Sequence, residues 1–192
     1  MNRYDLALFL HLLALLAAIA ASTIVHVSMS KVRSARTGGE ALQWLGLAHA
    51  FARVFPIALA ALLGTGAWMV HDRWPWGAGF VEAGLTGVVF LAVSGGVVEG
   101  GRARRVATAL AARSGESLEH AATLVRDPLW WCASWGNTGV ALAVVLSMVA
   151  KPSPAASFSV LAVGLTAGCC VGLASRRRAP VPNESVYEGI AR

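Results

Sequence analysis

The chain has 192 residues, enough for one domain. Hydrophobic residues make up 56% of it and charged residues only 14%, a balance that excludes an ordinary soluble domain and points to the membrane. Its net charge of +6 is gathered in short Lys/Arg clusters between apolar runs, a pattern of membrane topology and not of a nucleic-acid-binding surface.

The first apolar run, Asp5–Ser28, contains "HLLALLAAIAASTIVH" and places His11 and His26 at the two ends of an uncharged stretch. It is longer than the core of a signal peptide, and "MNRYD" before it carries an acid, so a retained helix is expected. "KVRSARTGGE" follows with Lys31, Arg33 and Arg36. The second run, Ala48–Val70, is interrupted by Arg53 and Pro56, and the proline is expected to kink it or to mark its true start. After "HDRWPWGAG" come a third run, Gly79–Val98, then Leu129–Ala150 and Ser157–Ser175. Each can cross about 30 Å of hydrocarbon as a helix, and lipid admits no open backbone. The expected fold is an all-α polytopic transmembrane bundle of five spans, one domain over residues 1–178.

The loop 99–128 carries Arg102, Arg104, Arg105, Arg113 and Arg126, with apolar residues at helical spacing and a break at Ser114–Gly115. It predicts extensions of the flanking spans or an interfacial helix pair, with His120 on the solvated surface. The tail 179–192 is polar and proline-punctuated, an expected disordered segment. Basic residues crowd "KVRSARTGGE", the long loop and "SRRRAP", whereas "HDRWPWGAG" and "KPSPAA" hold one each. The positive-inside rule then puts the amino terminus outside and the carboxyl terminus inside. Trp68, Trp74 and Trp76 mark the outer interface in this reading, and Trp44, Trp130 and Trp131 the inner one.

Small residues predict close packing. Gly164, Gly168 and Gly172 recur every fourth residue, a ridge for intramolecular packing or, alternatively, for a homo-oligomer. Gly84, Gly87 and Gly95–Gly96 form a similar ridge in the third run. Cys169 and Cys170 read as packing residues, since the three cysteines follow no metal spacing.

Ionisable groups inside a membrane are costly, so each is a functional candidate: His11, His26, His49, Arg53, Glu82 and Glu99, with Asn137 as a polar companion. Counting along antiparallel runs puts His26 and His49 at one depth near the inner interface, with Arg53 one turn deeper and Glu99 alongside. His26, His49 and Arg53 therefore form a candidate inner cofactor site. Imidazole ligates haem b or copper, and the guanidinium pairs with a propionate. His11 lies about 22 Å from His26 along one helix, in the other leaflet, where Glu82 is the acid at similar depth and a candidate outer metal site. Arg53 is expected to face the bundle and approach Glu99 or Asn137.

The stretches "LALFLHLLALLAAIAAS", "HAFARVFPIALAALLGTG" and "VVLSMVAKPSP" resemble small bacterial integral membrane proteins grouped around the copper-resistance protein D-like (CopD-like) domain. They are more distantly similar to HemJ-type protoporphyrinogen oxidases. The resemblance spans roughly residues 4–154. It implies a bacterial cytoplasmic membrane location, matches His11 to the family's leading histidine, and places Gly64-Thr65-Gly66 at the close of the second helix. Three functions follow as expectations: a haem- or metal-associated, redox-linked module; a small-solute or ion transporter; or an accessory subunit without chemistry of its own. No G-x-S-x-G, H-E-x-x-H or P-loop motif is present, so hydrolase and kinase chemistry have no sequence support.

Overall fold

The computed structural model describes residues 2–111 and 117–176. Helix α1 runs Arg3–Ser34, α2 Gly38–Ala52, α3 Val54–Arg73 and α4 Gly79–Val93. A π-helical turn, Ser94–Glu99, leads without a break into α5, Gly100–Ala111. Then follow α6, Ser117–Val125, α7, Pro128–Ala150, and α8, Pro154–Arg176. There is no strand among the described residues. Five stretches are long and apolar enough to cross a membrane: α1, α2 with α3, α4 through α5, α7 and α8. The break at Ser114–Gly115 and the tail 179–192 lie outside the described residues.

Side chains set the helix ends. Asn2 accepts from the Asp5 N–H and Asp5 reciprocates, a capping box that starts α1. Thr37 caps α2, so this helix begins well before Ala48, where the second apolar run starts. The helix is interrupted at Arg53, three residues before Pro56, whose ring clashes with the carbonyl four residues earlier, that of Ala52. Asp127 caps α7 ahead of Pro128. Lys151 ends α7 in the left-handed region at φ 47°, ψ 52°, and its ammonium lies 4.1 Å over the Trp74 ring.

Two packed regions organise the bundle. α7 and α8 share its most extensive contact, and α4 lies against both. Gly139 and Gly164 meet backbone to backbone, so a Cβ on either would overlap the other's carbonyl; Gly168 and Gly172 rest on the Trp135 and Trp131 carbonyls. Gly84 and Gly87 likewise accept Met148 and Val144 of α7. The ridge of α8 at Gly164, Gly168 and Gly172 is thus packed against α7 of the same chain, the intramolecular arrangement the glycine spacing offered first. Gly95 and Gly96 have nothing close to them and do not belong to the packing ridge of the third span.

The second region sits under α5 and α6. Val106, Leu110, Ala121 and Val125 bury the apolar faces of these helices against Met29, Val32, Leu45, Trp130 and Trp131. This corrects the reading of Trp130 and Trp131 as interfacial. They are 2% and 5% exposed, and the Trp131 indole N–H donates to the Val125 carbonyl at 2.8 Å. Arg102 meets Asp127 at 2.9 Å and ties α5 to the start of α7. Trp68, Trp74 and Trp76 are exposed, as an interfacial group requires.

Candidate functional site

The polar groups of the bundle interior gather on one face of α7. Ser134 and Asn137 are three residues apart and therefore neighbours on that helix. From α1, His26 reaches Ser134, with Nε2 2.7 Å from Oγ. Its Nδ1 lies 2.9 Å from the Ser22 carbonyl, one turn back on α1. A carbonyl only accepts, so Nδ1 carries the proton, and in the neutral ring Nε2 accepts the Ser134 hydroxyl. The Trp135 ring is tilted against the imidazole, centroids 5.5 Å apart. From the π-helical turn, Glu99 accepts from Asn137 Nδ2 at 2.7 Å. Four buried polar atoms have no hydrogen-bond partner among the described residues: Ser28 Oγ, Trp135 Nε1, Asn137 Oδ1 and Ser147 Oγ. Two of them, on Trp135 and Asn137, belong to this cluster.

The π-helical turn is what aims Glu99. In an unbroken α-helix each residue turns about 100°, so Gly87, Leu91 and Ser94 share a stripe toward α7, Val98 stays within about 20° of Gly87, and Glu99 falls about 120° away. The wider π turn absorbs about one extra residue. Glu99 then takes the place Val98 would have had. Its Cβ tilts toward the amino terminus of its helix, which brings the carboxyl back to the level of Asn137. That level is eight residues into α7 counted from Leu129, about 12 Å along its axis at 1.5 Å per residue.

His11 has a different partner from the acid expected. His11 Nδ1 lies 2.9 Å from Thr65 Oγ1 on α3, while Thr65 spends its own proton on the Ala61 carbonyl at 2.6 Å. Nδ1–H is therefore the donor in that contact. Gly66 leaves room for the ring, which would stand 3.4 Å from a Cβ there. Glu82 is exposed and shares no hydrogen bond with His11, so the candidate outer pair His11–Glu82 is not formed. Carboxyl and imidazole match in depth but not in direction around their helices.

The candidate inner set of His26, His49 and Arg53 also fails to converge. His49 and Arg53 are exposed, and neither has a hydrogen bond or ion pair among the described residues. Arg53 sits at the α2–α3 break and shares no hydrogen bond or ion pair with Glu99 or Asn137, which bond to each other. A haem or copper ion needs free donor atoms facing one centre. Here both ring nitrogens of His26 are engaged, His49 is exposed, and no group of three ligating His, Cys, Asp or Glu side chains exists among the described residues. These donors do not fit such a group. Cys132 and Cys169 face each other's carbonyls, at 3.9 and 3.6 Å, as packing residues of the α7–α8 seam.

Ser134 and Thr65 carry the two histidine contacts, and neither stood out in the sequence. Ser134 had a signal, a second polar residue one turn from Asn137 on an apolar run. Thr65 lay inside the "GTG" that reads as a close-packing motif. No protein-family model, curated protein or solved structure matches this chain. The CopD-like resemblance rests on the sequence stretches alone.

Proposed function

We propose that this chain is a multi-pass protein of the bacterial cytoplasmic membrane, amino terminus outside and carboxyl terminus inside, that couples movement of a small solute or ion to protons. Glu99 and His26 are its proton-holding groups. The observation that carries the reading is the Glu99–Asn137 contact at 2.7 Å inside the bundle, with no cation paired to the carboxyl among the described residues. An ionisable side chain at membrane depth is costly to keep, and such groups mark proton and ion pathways. His26, from α1, meets Ser134 one turn along the same face of α7, a second ionisable group within the same interior. The orientation follows from the Lys/Arg asymmetry of the loops.

The test is proton flux. Purified protein in liposomes with a trapped pH dye is driven by a potassium diffusion potential. Wild type should acidify or alkalinise the lumen with the sign of the potential, and Glu99→Gln should abolish the signal. Equal flux in the two overturns the role of Glu99. A carboxyl-terminal reporter active only outside the cytoplasm overturns the orientation.

A further inference from the structure

We infer that an ordered water molecule bridges Asn137 Oδ1 and Ser134 Oγ and joins Glu99 to His26 in one proton relay. The inference deepens the proposed function and rests on it in taking Glu99 as a proton-holding group. Its structural basis is an asymmetry in the site. Asn137 uses its amide N–H on Glu99, but its Oδ1 is buried with no partner among the described residues. Ser134 gives its hydroxyl proton to His26 Nε2 and keeps lone pairs to accept with. Ser134 is itself 3% exposed, so bulk solvent does not reach it. Residues three apart on a helix hold their Cβ atoms about 5–6 Å apart. At that spacing Ser134 Oγ, one bond past its Cβ, and Asn137 Oδ1, two bonds past, can share one water about 2.8 Å from each. The water donates to both oxygens and accepts from the carboxyl, giving it the three partners typical of a buried water.

The relay balances without electron transfer. The proton leaves the carboxyl oxygen not bonded to Asn137 and passes to the water. The water gives one of its own to Ser134 Oγ, whose original proton moves to His26 Nε2. Glu99 is left as carboxylate and His26 as imidazolium, its Nδ1–H still on the Ser22 carbonyl. Other titratable or charged groups on the surrounding elements are engaged or turned away. Arg102 of α5 holds Asp127, Arg33 of α1 lies 4.8 Å over Trp131, and Cys132 and Cys169 make their carbonyl contacts. Glu82, Lys31, Arg104 and Arg105 are exposed.

The experiment is infrared difference spectroscopy of the full chain in lipid nanodiscs, stepped in pH, in ordinary and oxygen-18 water. As the pH rises, wild type should lose a carboxylic-acid band, absent in Glu99→Gln, and the imidazole ring bands, absent in His26→Gln, should change in the same step. A water O–H band shifted by oxygen-18 should change with them. Ser134→Ala should lose the water band and uncouple the two titrations, and Ser134→Thr, which keeps the hydroxyl, should restore both. A spectrum unmoved by oxygen-18, or a Ser134→Ala protein still coupled as wild type, overturns the relay. Flux is read separately. Coupled bands without flux leave the relay standing and remove the transport reading, and flux without coupling does the reverse.

Discussion

Helix α7 presents two faces that are held by opposite means. Toward α8 it is dry: Gly139 against Gly164, and Gly168 against the Trp135 carbonyl, so backbones touch and no side chain intervenes. Toward α1 and the π-helical turn it is polar, with Ser134 on His26 and Asn137 on Glu99. In lipid the hydrophobic effect does not draw helices together, so association falls to close packing or to hydrogen bonds. One helix uses both. The dry face tolerates no added volume, whereas the polar face tolerates no lost partner.

That contrast breaks most readily on the dry side. Gly168→Val should cost about 3 kcal/mol, the upper end for an overpacked interior, because the new side chain meets backbone that cannot rotate away. Thermal unfolding in detergent should show a large fall in Tm, and Gly96→Ala, where nothing lies within 4 Å, should show little change. A stable Gly168→Val protein would mean the seam is looser than it looks.

On the polar side Asn137→Leu should cost about 1–3 kcal/mol, the range for a buried acceptor left without its partner, because Glu99 loses its donor. The sharper measurement is the double variant. Glu99→Leu with Asn137→Leu should melt above Asn137→Leu alone, since no carboxyl is then stranded. If the double variant melts lower, the two residues are not coupled.

Thr65→Val extends the comparison to the outer histidine and should cost about 1 kcal/mol, the worth of one neutral hydrogen bond. Its effect on proton flux should be nil, because His11 is remote from Glu99. Flux lost in this variant would move the functional site outward.

The smallest effect is expected from deleting Gly96. A π-helical turn amounts to about one inserted residue, so removing one returns an ordinary α-helix and leaves Glu99 on Asn137. Deleting Val89, within the regular part of α4, should instead rotate everything after it by about 100° and abolish flux. Equal damage from the two deletions would refute the register argument.

Patterns written linearly in the chain were legible. Run length and hydropathy disclose the five apolar helices, and the spacing of Gly164, Gly168 and Gly172 discloses a close-packing face. What depth counting lacks is direction around the helix axis. It set His26 level with His49 and His11 level with Glu82, yet each histidine turns to a hydroxyl on another helix. The cost of intramembrane charge predicts an inward Arg53. Pro56 breaks the helix at that residue and leaves the guanidinium exposed. Glu99 was named as a candidate, but its aim depends on a π-helical turn whose "SGGVVE" reads like any other glycine-bearing stretch. Trp130 and Trp131 resemble interfacial residues because the helices expected over 99–128 carry no sign in the sequence that they fold back over these rings.

The glycine seam has a mechanical consequence. Backbones in contact at Gly164, Gly168 and Gly172 in succession cannot slide or splay without losing the whole contact at once, so α7 and α8 behave as a single rigid rod pinned at one end by the short turn at Lys151. The joints to α1 and to Glu99 are different in kind, each a hydrogen bond or two that can be broken and remade singly. If the bundle rocks, it rocks there. In the proposed function the rod is the fixed half, and the seam free to open is the one that carries Glu99 and His26.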